Sequence, residues 1–502
     1  MSKILHGGRL KSVREDVAQF TSSIKNDSRL LDAVVAINKA HVVMLAEKRI
    51  LSKKDAAVLL SMLEKASDLQ LDCSMEDVHM AVEELVLKEA GTEAGGNLHI
   101  GKSRNDQVVT AIRMTLRNEL LMLMRSISHV QEHMVEVAEN HLDTVILEYT
   151  HLQPAQPVTF AHYLLAYVDA FQRDMQRLQD AYKRVNISPL GAGALATTSF
   201  QIDRDRTASL LGFRGLVENS IDAVGSRDFI LETLAAITLA YVNLSRLAED
   251  LIIWSSPDFS VVELPDEFSS TSSIMPQKKN PEVLEVVRAR ASDVLGNFVA
   301  ATSAVKSLPS TYNLDFQEIT PKLWASIDSL RASLDMVHKL VPKLKVATDV
   351  SERALRSFVA ATELANLLVR NYRVPFRSAH KIVGALVKTL ADSKMTFADA
   401  TPKLLAKAAE ESAGIKLSVK TEEIKALADP LKLVEACNVK GGPAPAEVKR
   451  ALCEREKQVL LTKSNISKMD RELGEAEDLL ERTIQTYLPA KKSTNATFKN
   501  NP

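Results

Sequence analysis

The sequence predicts an all-α protein organised around a long five-helix bundle, on three observations. Apolar side chains recur in steps of three or four through five separate stretches. Breakers are scarce, with 17 Gly and 17 Pro in 502 residues, and 46% of the chain is hydrophobic. The segments joining the five stretches are long for a bundle and hold most of the chain's unusual polar side chains.

A chain of 502 residues exceeds one typical core. We expect an N-terminal helical domain over 1–107, the bundle over 108–350, a C-terminal helical domain over 351–490 and a disordered tail over 491–502. The first region holds short helical patterns, Ser28 to Leu51 and Lys54 to Leu69, with glycine loops at Gly7-Gly8-Arg9 and Gly95-Gly96. From Val109 the stripe runs through Ile112, Leu116, Leu120, Leu123, Ile127, Val130 and Met134 to Val137, a helix about 43 Å long. The rhythm returns over Leu164–Tyr182, Ile230–Leu251, Val287–Val305 and Leu323–Val337. A mean step near 3.5 predicts shallow, left-handed packing. Val108, Leu121 and Met124 lie beside the first stripe and suggest helices shared between subunits, hence a homo-oligomer. Beyond 350 the helices shorten to Ala361–Arg370, Ser378–Leu390 and Thr401–Ala409, and a last one is expected from about Met469 to Tyr487.

Sixty-three basic and 64 acidic residues leave a net charge of −1, which argues against nucleic-acid or membrane partners. Cys73, Cys437 and Cys453 form no CxxC pair and fit neither a disulfide framework nor a zinc site. The N-terminus has no apolar signal core, so a cytoplasmic protein is expected. Asn495-Ala-Thr497 is a chance sequon in that setting.

Chemistry concentrates in the connectors, expected at about 142–160, 186–227, 255–281 and 308–321. Ser269 to Pro281 joins five hydroxyl residues to a Pro-bracketed basic turn. Hydroxyl runs favour loops, while Asn280 suits an N-cap and Pro281 the first helical position. Lys278 and Lys279 would then stand at a helix N-terminus as an anion site, although the same composition suits a flexible connector. Gly101-Lys-Ser-Arg-Asn-Asp-Gln107 offers hydroxyl, guanidinium and amide donors just before the strongest stripe, as a solvated cap also would. His151, between Thr150 and Gln153, is either a proton donor or a structural loop histidine. Ser188-Pro-Leu-Gly-Ala-Gly193 is wrongly spaced for a P-loop, and no metal-ligand spacing or nucleotide fingerprint occurs, so no cofactor is expected.

Taken in order, these motifs resemble the fumarase and aspartase superfamily, and most closely the argininosuccinate lyase family. Ser272-Ser-Ile-Met-Pro-Gln-Lys-Lys-Asn-Pro281 is similar to the superfamily signature. Ser103-Arg-Asn-Asp-Gln107, Tyr149-Thr-His-Leu-Gln153, Ala155-Gln-Pro157 and Thr311-Tyr-Asn313 with Asp315 and Gln317-Glu318 resemble the lyase itself. The likeness extends from Gly7 to Gly442 and takes in Glu76-Asp-Val-His79 and Val374-Pro-Phe-Arg377.

The resemblance implies reversible, cofactor-free cleavage of argininosuccinate to arginine and fumarate by anti elimination. It also implies a homotetramer with a 20-helix core and active sites shared between three subunits. By the same transfer Ser272 is the base, Lys278 and Asn280 hold a carboxylate, His151 protonates the leaving nitrogen and Glu285 is its charge partner. Ser103, Arg104, Asn105, Thr150 and Arg227 bind carboxylates or order loops; Tyr312 and Gln317 hold the arginine portion, with Ser23 and Asp27 beside them. An activated serine needs local stabilisation, for which the helix N-terminus and Lys278 are candidates. Some positions depart from the family. Thr271 replaces a glycine, Lys102 and Ile100 an Arg and a Thr, and Ile37-Asn38 a Gly-Ser pair, while Thr320 stands for a lysine with Lys322 two residues on. A sister lyase acting on another substituted succinate, or a noncatalytic structural homologue, remain the alternatives.

Overall fold

The computed structural model describes residues 14–72 and 75–489. Gly7-Gly8-Arg9, Cys73, Asn495 and the tail 491–502 lie outside them. Five long helices form the centre: Arg104–Glu139, Phe160–Val185, Asp228–Trp254, Glu282–Val305 and Asp315–Leu340. The first packs on the second and fifth, the third on the second and fourth, and the fourth on the fifth. Their direction alternates, as side chains record. Arg113, near the start of the first, donates to the Arg184 carbonyl at the end of the second (2.7 Å). Tyr163, at the start of the second, donates to Asp250 at the end of the third (3.2 Å), and Arg288 at the start of the fourth pairs with Glu249 (2.5 Å). The first, third and fifth helices therefore begin at one end of the bundle, and the second and fourth at the other.

One continuous apolar core runs from Ile24 through the bundle to Ile484. The first bundle helix is enclosed on several sides, by its bundle neighbours, by the helix Leu31–Glu47 and by a long C-terminal helix, Pro445–Gln485. This corrects the reading of its surplus apolar residues: Leu121 and Met124 are buried within the chain, and half-buried Val108 faces a cavity. The exposed apolar residues sit instead on the third and fourth helices, at Leu239, Val242, Val286, Leu295 and Val299. The C-terminal helix also begins well before Met469. Its core-facing residues, Val448, Leu452, Val459, Ile466, Leu473 and Leu480, are spaced too sparsely to stand out, and Pro445 starts it at a position where a missing N–H costs nothing. A second core spans Ala354 to Leu433 and takes in Leu147 from the bundle's far end. The third bundle helix, Asp228–Trp254, is long and apolar enough by composition to cross a membrane, but it packs among the second, fourth and fifth.

Three connectors depart from the expected loops. Val145–Thr150 and Gln153–Thr159 form an antiparallel hairpin, because Val145-Ile-Leu-Glu-Tyr-Thr150 is a β-prone run. Ser270–Thr271 pairs with Lys279–Asn280, so Asn280 is a ladder residue opposite Ser270, and Pro281 takes the cap position. The fifth helix starts at Asp315 and carries Pro321 inside it, at the loss of one backbone bond, so Gln317 lies on its first turn.

Leu120 is fully buried at the middle of the first helix. Replacing Leu120 by Ala should cost about 2–5 kcal/mol. Chemical denaturation would show it as a lowered midpoint with unchanged helical content.

Candidate active site

Ser103 caps the first bundle helix: its Oγ accepts from the Asn105 N–H at 3.3 Å, and the Asp106 carboxylate accepts in return from the Ser103 N–H at 2.9 Å. Asp106 is fully buried, and its second oxygen accepts from the Gly191 and Gly193 N–H groups at 3.0 and 2.8 Å. Gly193 holds φ at 62°, where a Cβ would stand 2.6 Å from the Thr197 carbonyl oxygen, so only glycine fits. Burial pushes the Asp106 carboxyl up to about 6, opposed by those three N–H bonds and by Lys102. The 188–193 turn thus serves as an anchor for the helix start, and Asn105 adds a bond to the Ala194 carbonyl at 3.1 Å.

With this end fixed, distant parts of the chain close around a small cavity of about 60 Å³. Its walls include Ser23, Asp27, Arg104, Arg227, Tyr312 and Gln317, and Ser103 lines the adjoining opening with Glu83 and His99. Ser23 donates to Asp27 at 2.6 Å, and Gln317 donates to the Thr21 carbonyl at 2.8 Å, joining the N-terminal segment to the fifth helix. Arg104 pairs with Asp77. Arg227 is 1% exposed; its Nη1 donates to the Val224 and Ser226 carbonyls, and its guanidinium lies 4.2 Å from the centre of the Phe316 ring. The Nε and Nη2 of Arg227 have no protein partner, and burial lowers this group to about 9. Arg227 therefore keeps two unused cationic donor atoms on a wall whose other charged residues are Asp27, Asp77 and Arg104. Burial first, then the Asp77 charge, raises Asp27 to about 6 against the Ser23 bond. Such a cavity suits a small ligand that carries both carboxylate and cationic groups.

Sequence reasoning left His79 unassigned. It is buried on the cavity wall, neither ring nitrogen has a protein partner, and burial holds it well below the usual imidazole range, so it is neutral. Asp77, the partner of Arg104, was also missed. Both belong to the Glu76–His79 motif, the one signal available. Thr320 lines the cavity wall, whereas Lys322 turns to the Glu318 carbonyl of its own helix at 3.0 Å. Two of the departures meet: Lys102, buried and lowered by that burial to about 7, donates to the Oδ1 of Asn38.

The remaining expected residues stand at the opposite end of the bundle. Thr150 and His151 are exposed on the hairpin between the first and second helices, and His151 and Leu152 form its two-residue turn with φ of 57° and 56°. Turns with positive φ at both positions favour Asn-Gly, so a histidine here costs on the order of 1 kcal/mol and aims the ring outward. Ser272, Lys278 and Asn280 belong to the connector between the third and fourth helices, and Glu285 is exposed on the fourth helix's first turn. The Oγ of Ser272 accepts from the Ile274 and Met275 N–H groups at 3.3 and 3.1 Å. Those two N–H groups, rather than a helix N-terminus, are the donors that meet the serine oxygen. Lys279 is held by Asp266 at 2.6 Å and Glu263 at 3.3 Å, while Lys278 forms no ion pair among the described residues. No hydrogen bond or ion pair joins His151 to Glu285 among the described residues. The second helix, 26 residues long, separates the cavity end of the bundle from the end that carries these residues by about 39 Å.

A protein-family profile described as lyase matches residues 11–296, and one described as argininosuccinate lyase C-terminal matches residues 358–435. The argininosuccinate lyase of Methanocaldococcus jannaschii is 43% identical over 479 residues, covering 94% of this chain and 96% of its own length. That of Methanosarcina barkeri is 40% identical over 495 residues, covering 98% and 100%. Among solved structures, an EDDS lyase in complex with formate superposes with a TM-score of 0.87 at 32% identity over 92% of each chain. A class II fumarase from Schistosoma mansoni shares the fold, with a TM-score of 0.69 at 18% identity over 84% of this chain and 95% of its own.

The charge of Asp27 opposes folding. Its carboxyl is raised from 3.8 to about 6 in the folded protein, so the folded state keeps a proton that the unfolded chain releases, and its contribution to stability falls as pH rises from about 4 to 6. Asp27→Asn should raise the melting temperature at pH 7, by an amount corresponding to about 1–3 kcal/mol, and flatten its pH dependence between 4 and 6. The same variant should bind a cationic ligand more weakly, as titration calorimetry would read.

Proposed function

We infer the reaction from one premise: this chain belongs to the argininosuccinate lyase family of the fumarase and aspartase superfamily. It is a carbon–nitrogen lyase that splits argininosuccinate into arginine and fumarate, a step of arginine biosynthesis. The observation that carries this reading is the near full-length identity of 40–43% to lyases of that name. A likeness of 32% to an EDDS lyase makes a sister lyase the reading to test against it.

In the chemistry we assign, Ser272 as an anion takes the Cβ proton of the succinyl part, with the Ile274 and Met275 N–H groups holding its charge. The carbanion's charge spreads into a carboxylate held by Lys278 and Asn280, which donate to developing negative charge. Loss of the Cα–N bond then forms the fumarate double bond, and the departing nitrogen takes a proton from His151, directly or through water. Glu285 steadies that histidine. Ser103, Arg104, Asn105, Thr150 and Arg227 bind carboxylates or fix the loops around them. Tyr312, Gln317, Ser23 and Asp27 receive the arginine portion, and the anionic Asp27 suits its guanidinium. Elimination by this route is anti and reversible.

These roles require the two bundle ends to meet, which one chain cannot do. We place them in a homotetramer with a 20-helix core, in which each site combines one chain's cavity with the hairpin and the Ser272 connector of others. Support comes from Leu239, Val242, Val286, Leu295 and Val299, an apolar surface on two adjacent helices that a partner chain would cover. Cytoplasmic residence is our reading too, supported by the free thiols of Cys437 and Cys453.

Purified protein given argininosuccinate should release fumarate, read by its ultraviolet absorbance, and should prefer that compound in a panel of substituted succinates. Absence of product from folded, assembled protein overturns the reading. Ser272→Ala and His151→Asn should each lower kcat by about 10²–10⁴-fold with the assembly intact by light scattering. Mixing an inactive Ser272→Ala protein with an inactive Arg227→Ala protein should restore part of the activity, since some sites then combine two intact halves. A pair of charges, Leu295→Asp with Val299→Asp, should instead dissociate the assembly and abolish activity.

A further inference from the structure

We propose that Arg353 is a positioning residue that couples the two connectors carrying the proton transfers, locking the His151 hairpin to the root of the Ser272 connector. This rests on the assignment of His151 and Ser272 above, and adds a residue that no motif or matched position singles out.

Arg353 sits on a short helix, Ser351–Arg356, which opens the C-terminal unit just after the fifth bundle helix. Its half-buried guanidinium spans three groups. One Nη donates to the Phe259 carbonyl and, at 3.4 Å, to the Tyr149 hydroxyl; the other donates to the Asp258 carbonyl at 2.7 Å. Asp258 and Phe259 open the connector that leads to Ser272, and Tyr149 lies two residues before His151 on the hairpin. The Tyr149 and Phe259 rings pack directly, with centres 4.9 Å apart. The contact is reinforced on both sides. Val262–Glu263 pairs antiparallel with Lys345–Val346, and the Ala347 N–H donates to the Val261 carbonyl at 2.9 Å. Leu147 and Tyr149 reach into the core of the C-terminal unit.

A guanidinium is suited to this task. Its donors are set in a rigid plane, so holding two successive carbonyls leaves the plane little freedom, and a third contact then fixes the hairpin relative to both. The hairpin needs such a brace, because its His151-Leu152 turn is strained and its tip is exposed. Small errors in the placement of an acid or a base lower turnover steeply without comparable loss of binding. Loss of Arg353 should therefore act on kcat.

The test uses the assembled full-length protein with argininosuccinate. Arg353→Ala should lower kcat by roughly 10- to 100-fold with KM within about threefold of wild type. Amide hydrogen exchange should quicken in 145–156 and 258–281 together. Arg353→Lys, which keeps a charge and one carbonyl contact, should recover part of kcat, and Tyr149→Phe should give a smaller loss with the ring contact kept. Wild-type kcat and unchanged exchange in folded Arg353→Ala overturn the proposal. So do equal losses in Arg353→Ala and Arg353→Lys that track loss of folded protein while Tyr149→Phe stays at wild-type kcat. Ser272→Ala and His151→Asn run alongside separate the two ideas: wild-type rates in those variants overturn the catalytic assignment itself, whereas their inactivity beside an unaffected Arg353→Ala overturns only the role of Arg353.

Discussion

Antiparallel packing of five long helices allows their connectors only two places, the two ends of the bundle, and everything else about the site follows from that constraint. The first, third and fifth helices begin around the cavity with Arg104, Arg227 and Tyr312 near their starts. The hairpin and the Ser272 connector are thrown to the far end. Each end is chemically incomplete. One has buried cationic donors and a raised carboxyl but lacks Ser272 and His151; the other has that exposed histidine and a serine hydroxyl that accepts from two N–H groups. Assembly is thus part of the chemistry we assign, and apolar residues left on the third and fourth helices are a place for it to happen.

The bundle was legible because a 3.5-residue rhythm survives in any helix that buries one face, and all five stretches became helices. What escaped were features decided by partners distant in sequence. The Val145–Thr159 hairpin is β because its strands pair with each other and lie on the C-terminal unit, and Asn280 lost the cap position to a ladder with Ser270. The C-terminal helix was underestimated because it shows the core only a sparse row of side chains. Site residues were legible as types in motifs, but their grouping was not. Nothing local in Ser23 or Gln317 announces that they share a cavity with Arg227, and the neutral, partnerless His79 is visible only once its surroundings are known.

The departures from the family pattern also read differently in three dimensions. Lys102 and Asn38 change separately in sequence but touch in the fold, where the asparagine oxygen receives a buried ammonium that forms no ion pair among the described residues. Asn38 spends its amide on the Val34 carbonyl at 2.8 Å, leaving the oxygen for this purpose. Thr271 occupies a ladder position opposite Lys279, where a β-branched residue is at ease, so the base of the Ser272 connector is stiffened beneath an exposed tip.

The C-terminal helix has a consequence for how the protein is made. Pro445–Gln485 lies along the first and second bundle helices and touches the helix Leu31–Glu47, where Lys39 bridges Glu64 and Glu481 at 3.3 and 3.4 Å. Pro445–Gln485 follows the bundle in chain order, so the core that the helices Leu31–Glu47 and Arg104–Glu139 begin is closed only once this later helix has been made. Until it arrives, the first helix keeps an apolar flank in water, and the nascent chain must stay soluble through most of its synthesis with its bundle unsealed. Contacts so far apart in sequence raise the contact order of this part of the fold, which favours slower closure than packing between neighbouring helices.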